Sequence, residues 1–186
     1  MKPLYWIAAG LALVVFTKAP PDRYDYSEVL GNAFVLIGWI KLARARPEIP
    51  LRLTLWYLVV LAFVLSIVLS AADARAWLED ADAAVIWAAS LPALGFQAAL
   101  CHAMTRQASA GKARGGWWWT VAEAGILIAL VATVLYDGAD WDWLYGVGTV
   151  GLAGVLLVML LCLVYGPAVW AGGPEPEAEV EDAEAT

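Results

Sequence analysis

Histidine occurs once in this chain, cysteine twice and methionine three times. A zinc site takes three or four side-chain ligands, and haem takes axial groups of the same few residue types. His102 and the separated Cys101 and Cys162 fill neither requirement, so no metal and no cofactor is expected. Charge is scarce as well. Only 16% of residues are charged, and much of the net charge of −7 comes from the stretch Glu175 to Glu184. The remainder is near neutral, which removes the electrostatic basis for binding nucleic acid. Also missing are His-Glu-x-x-His, Gly-x-Ser-x-Gly and a phosphate-binding glycine loop. The stretch Gly111 to Gly116 contains glycine but lacks the lysine and hydroxyl residue that end such a loop.

What remains is apolar. The chain is 62% hydrophobic, against about 45–50% in an ordinary soluble domain, and its mean hydropathy is +0.70. A helix crossing about 30 Å of hydrocarbon needs roughly 20 residues. Inside hydrocarbon the backbone must satisfy its own hydrogen bonds, and the runs are continuous rather than alternating, so helices are expected rather than a barrel. Six spans are predicted, at about 3–17, 25–45, 53–72, 83–104, 117–136 and 143–165. The first is short, about 22 Å at the helical rise, and Lys2 and Lys18 can extend toward the two interfaces. A cleaved signal peptide is the alternative there, with Pro20 against it. The fold class is therefore all-α, a polytopic membrane helix bundle over residues 1–171. An acidic, aromatic-free tail at 172–186 is too polar to fold.

Lys/Arg content is lopsided across these spans. Of the 11 basic residues, Lys2, Lys41, Arg44, Arg46, Arg52, Arg106, Lys112 and Arg114 fall on one side, leaving Lys18, Arg23 and Arg75 on the other. Basic flanks stay in the cytosol, which predicts both termini inside and a plasma (inner) membrane location. The outer loops are acidic, carrying Asp22, Asp25 and Glu28, then Asp73, Glu79, Asp80 and Asp82, then Asp137, Asp140 and Asp142. Trp117 to Trp119 mark the inner interface, and Trp141 and Trp143 the outer one. Cys101 and Cys162 lie toward the cytosolic ends, where thiols stay reduced, and read as small apolar packers. Tyr24-Asp25-Tyr26 before Gly31 resembles Trp141-Asp142-Trp143 before Gly148, a similarity that helix capping and interfacial aromatics explain without a repeat.

Few residues inside the spans can carry chemistry. Glu123 lies about 9 Å below the inner edge of the fifth span. An ionisable group at that depth normally faces the bundle interior or a wet cavity. Gln97, at similar depth on the fourth span, is a candidate hydrogen-bond partner, and Arg106 a candidate cation for the carboxylate. His102 is an interfacial structural residue or a proton relay beside Glu123. Asn32, Ser66, Ser90, Thr133 and Thr149 fall at comparable depth on five spans. They form either interhelical hydrogen bonds or a polar cavity rimmed by Asp137, widened where Pro92 breaks the fourth span. Gly148, Gly151 and Gly154 mark a close helix contact, within the bundle or with another copy. The acidic pairs Asp80/Asp82 and Asp140/Asp142 read as capping residues, not metal ligands.

The function these features favour is non-enzymatic. The expected partners are the lipid bilayer and a membrane protein, with no oligomeric state implied. One alternative is a small proton- or cation-coupled transporter using Glu123. The other is a membrane-embedded lipid-modifying enzyme using Glu123 and His102 as acid and base.

Overall fold

The computed structural model describes residues 2–17, 26–139 and 145–173, excepting the side chains of 83, 133–139 and 145–151. Lys18 and Arg23, the loop at 140–144 and the tail from 174 onward lie outside the described residues. So does most of both aromatic-Asp-aromatic segments.

The architecture is all-helical. Among the described residues there are seven α-helices and no strand: α1 Pro3–Phe16, α2 Tyr26–Ala45, α3 Arg52–Leu69, α4 Ala72–Glu79, α5 Ala83–Ala110, α6 Trp117–Ala139 and α7 Tyr145–Tyr165. A 3-10 turn at Val169–Ala171 follows. Pro3 opens α1 at its first position, where the missing amide costs no helix bond.

Several boundaries differ from the sequence expectation. The third span ends at Leu69, and the acidic loop after it folds into the short helix α4. Its alanine-rich sequence Ala-Asp-Ala-Arg-Ala-Trp-Leu-Glu has high helix propensity, and Asp73 lies in the first turn, where the helix dipole favours an acid. Helix α5 continues six residues past Met104 to Ala110, because Arg106, Gln107 and Ala108 are good helix formers. It also runs through the buried Pro92, which removes one backbone hydrogen bond without ending the helix.

Two helices, Arg52–Leu69 and Ala84–Ala110, are long and apolar enough to cross a membrane by length and composition. Pro3–Phe16, Trp117–Ala132 and Leu152–Tyr165 are apolar but shorter. Helix α2 is in neither group, since Glu28, Asn32, Lys41 and Arg44 dilute its apolar face.

The helices close on themselves. Helix α1 packs on α2, α2 on α3, α3 on α5, α5 on α6, α6 on α7, and α7 back on α1, with α4 outside this ring. The α1–α2 crossing is tight because three glycines face the neighbouring backbone. A Cβ on Gly31 would lie 2.7 Å from the Gly10 carbonyl oxygen, and one on Gly38 would lie 2.8 Å from the Ile7 amide nitrogen. Helices α6 and α7 meet at Gly154, where a Cβ would sit 3.2 Å from the Ile126 nitrogen. Gly148 and Gly151 belong to α7, but their surroundings lie outside the described side chains.

Among the described side chains, the largest fully buried ones come from all six helices of the ring and lie toward one end of the bundle. They include Leu4 and Ile7 of α1, Trp39 and Leu42 of α2, Leu55 of α3, Leu100 and Met104 of α5, Trp119 and Ile126 of α6, and Val158 of α7. This is the end that carries the basic loops. Gly172 rests against Leu42, Ala45 and Pro3, and Gly111 against Trp170. The Tyr165 hydroxyl donates to the Arg114 carbonyl at 3.5 Å. The Arg46 guanidinium donates to the Val169 carbonyl and pairs with Glu48 at 3.5 Å. The N-terminus, both basic loops and the C-terminal turn thus meet at one end. Gly172 and Gly173 pack with the bundle, two residues into the stretch whose composition suggested a tail.

Arg46 is the clasp of that end. Arg46→Ala is expected to loosen the turn at Val169–Ala171 at a cost of roughly 1 kcal/mol, below the about 1.5–3 kcal/mol of a charged hydrogen bond because the side chain is partly solvated. Limited proteolysis should then cut the Pro167 to Gly173 stretch faster while the helical core stays intact.

Candidate functional site at the α5–α6 seam

Helices α5 and α6 run antiparallel from the turn at Gly111 to Gly116. Gly115 takes φ +83°, which glycine tolerates and other residues strain to adopt. Gly116 brings its backbone against Ala108, 2.7 Å from where a Cβ would sit. These glycines serve a tight reversal. From it the two helices stay in step. The Thr105 and Thr120 hydroxyls lie 3.4 Å apart, and one turn further on His102 Nδ1 and Glu123 Oε1 lie 3.2 Å apart.

The pair sits at the edge of the bundle, not in its core. The His102 side chain is 41% exposed and that of Glu123 21%. Among the described residues, His102 Nε2 and Glu123 Oε2 have no hydrogen-bond partner. A pair with no net charge exists in two forms. Either an imidazolium faces a carboxylate, or a carboxylic acid donates to Nδ1 of a neutral ring. In both of these forms Nε2 carries a hydrogen and Oε2 accepts, whereas in the form with net charge −1 a neutral ring donates from Nδ1 to the carboxylate and Nε2 and Oε2 both accept.

Gln97 does not join it. Its amide donates to the Ala93 carbonyl of its own helix at 3.4 Å, and Oε1 is buried without a partner among the described residues. Residues five apart on a helix point about 140° away from each other, so Gln97 and His102 occupy different faces. Gln97 is 5% exposed and points inward. No ion pair joins Arg106 to Glu123 among the described residues; the carboxylate is met by His102.

The outer polar residues are satisfied locally. Asn32 donates to the Glu28 carbonyl at 3.0 Å, Ser66 to Phe63 at 2.7 Å and Ser90 to Trp87 at 2.7 Å. Each bond lies within the residue's own helix, as short polar side chains commonly do there. None of the three bonds to another. The side chains of Thr133, Asp137 and Thr149 lie outside the described residues. Asp80 and Asp82 are exposed at the junction of α4 and α5, and no group of three or more potential metal ligands occurs among the described residues.

Two features went unread in the sequence. The Trp87 indole donates to the Leu130 carbonyl of α6 at 3.0 Å, a third bond across the helix pair already joined at Thr105–Thr120 and His102–Glu123. Its need for an acceptor was foreseeable, since a buried indole N–H usually finds one, but the partner was not. The other is a cavity of about 300 Å³ between α1 and α7, lined by Tyr5, Ala8, Ala9, Ala12, Met159 and Leu163. It is almost wholly apolar and lies on a different helix pair. Both cysteines are buried and unbridged.

No family model matches this chain, and neither a curated protein nor a solved structure is significantly similar.

Proposed function

We propose that the chain is an integral membrane protein of six spans with both ends cytosolic, a non-enzymatic bundle that works by packing against a lipid or protein partner within the bilayer. The carrying observation is the apolar perimeter. Leu53, Tyr57, Leu61, Val64, Ile67 and Val68 are exposed along α3, as are Leu127, Ile128 and Val131 on α6 and Leu160, Leu163 and Val164 on α7. Only 22% of the α3 stretch and 33% of the α5 stretch are buried inside the protein, whereas the core helix of a soluble protein is mostly buried. Soluble monomers rarely expose apolar patches beyond a few hundred Å². The gathering of Lys2, the two basic loops and the C-terminal turn at one end supports the inside assignment for that end.

A test of the topology uses a membrane-impermeant thiol reagent on intact cells. Cysteine at Asp80→Cys should be labelled at once, and cysteine at Ala45→Cys only after permeabilisation. The reverse pattern would invert the orientation, and release of the protein from membranes at alkaline pH would remove the membrane reading altogether.

A second reading is favoured by one observation, the His102–Glu123 couple at 3.2 Å. Such a couple suits a proton-coupled transporter or acid–base work on a lipid. Its position at the perimeter, away from the apolar cavity, weighs toward packing instead. Proton flux into vesicles carrying the purified protein discriminates. Flux abolished in Glu123→Gln would replace the packing role with transport.

A further inference from the structure

We infer that the α5–α6 face is the interface for a second copy of this chain, with His102 and Glu123 of each copy bonded to Glu123 and His102 of the other. The inference rests on the membrane reading above. In the form with no net charge, which hydrocarbon disfavours least, lipid tails offer no partner for the Nε2 donor and the Oε2 acceptor, and unsatisfied polar groups there are costly. All copies enter the membrane in one orientation, because the basic loops stay on one side. The couple therefore lies at the same depth in every copy. A two-fold axis along the membrane normal brings donor against acceptor twice, so the surface is complementary to itself in charge and in hydrogen bonding.

The surroundings allow the approach. Thr120 and Ala124 are both exposed and one turn apart on α6, flanking Glu123. Small residues four apart let two helices come close. An unrelated membrane protein would need its own paired donor and acceptor at that depth. The second copy carries them by construction.

The experiment uses the full chain in lipid vesicles, first checked for resistance to alkaline extraction. Tagged copies are counted by single-molecule photobleaching over a range of protein-to-lipid ratios. In parallel, cysteine at Ala124→Cys is oxidised in the membrane, with Leu61→Cys on α3 as the control, Cys101 and Cys162 being buried. Two-step bleaching and crosslinking of Ala124→Cys alone are expected. His102→Ala and Glu123→Ala should each weaken dimerisation about tenfold, the scale of two modest interhelical bonds lost together. The exchange His102→Glu with Glu123→His should restore it, and helix content by circular dichroism unchanged in the single variants would exclude a merely structural role within one copy. Extractable protein would overturn the membrane reading and this interface together. Membrane-integrated protein that bleaches in single steps at every density, or crosslinks through Leu61→Cys instead, would overturn the interface alone.

Discussion

Gly31→Leu is expected to prevent the bundle from assembling. At this position even a single Cβ would lie 2.7 Å from the Gly10 carbonyl oxygen and 3.2 Å from the Val14 amide nitrogen. Both atoms are backbone, so no side-chain rotation relieves the clash, and α1 must move away from α2 as a rigid rod. Overpacking in a core typically costs about 1–3 kcal/mol when side chains can adjust. A leucine pressed against backbone should reach the top of that range or exceed it, about 3 kcal/mol or more. The measurement is the thermal midpoint of purified protein in detergent, with the yield of folded protein beside it. Gly95→Ala is the control. There the nearest atom to a new Cβ is Leu58 Cδ2 at 3.4 Å, an ordinary contact, and alanine favours the helix by up to about 1 kcal/mol. A loss at Gly95 as large as at Gly31 would show that helix propensity or expression, and not the α1–α2 crossing, sets the outcome.

The second large effect is expected at Trp39. Its ring is fully buried and meets Trp56 of α3 and Phe96 of α5 edge-on, at centroid separations of 6.2 Å in both cases. It therefore holds three helices of the ring at once. On the membrane reading proposed above, the surroundings of the folded and separated helices are similarly apolar, so what Trp39→Ala loses is packing and dispersion more than transfer from water. The cavity left by so large a ring still places the loss at roughly 3 kcal/mol or more. The indole N–H has no partner among the described residues. Trp39→Phe gives up no hydrogen bond, and should cost only about 1–2 kcal/mol. Unfolding in a titration from mild detergent into dodecyl sulfate, followed by circular dichroism, measures both. Equal losses in the two variants would show that a smaller aromatic ring recovers none of the packing and would overturn this estimate.

Both sites show where the linear pattern stops being informative. The three-residue spacing of Gly148, Gly151 and Gly154 is visible in the sequence, whereas Gly10, Gly31 and Gly38 form no regular pattern. Only the crossing of α1 over α2 shows that these three meet backbone, as Gly154 does. Residue count places Gln97 at the depth of Glu123 and so makes it the candidate hydrogen-bond partner, with His102 read as interfacial or as a proton relay, because depth along a span is readable from the sequence. Facing direction is set by how α5 is rotated against α6. The local bonds of Asn32, Ser66 and Ser90 escaped for a related reason. A polar side chain in a helix can bond across to a neighbour or back to its own turn, and only the distance to that neighbour selects between them.

By itself the sequence determined that the chain is helical, that His102 and Glu123 lie near one end of adjacent helices, and that charge is partitioned between alternate loops. Composition, helical rise and the clustering of Lys and Arg are properties of the chain in one dimension, so they survive without coordinates. The tertiary structure decided which faces meet: the α7-to-α1 closure, the glycine crossing, the short helix α4 standing outside the ring, and the outward His102–Glu123 couple. Those depend on the rotation of each helix about its own axis, which rests on the summed fit of many weak contacts and leaves no signature at any single position.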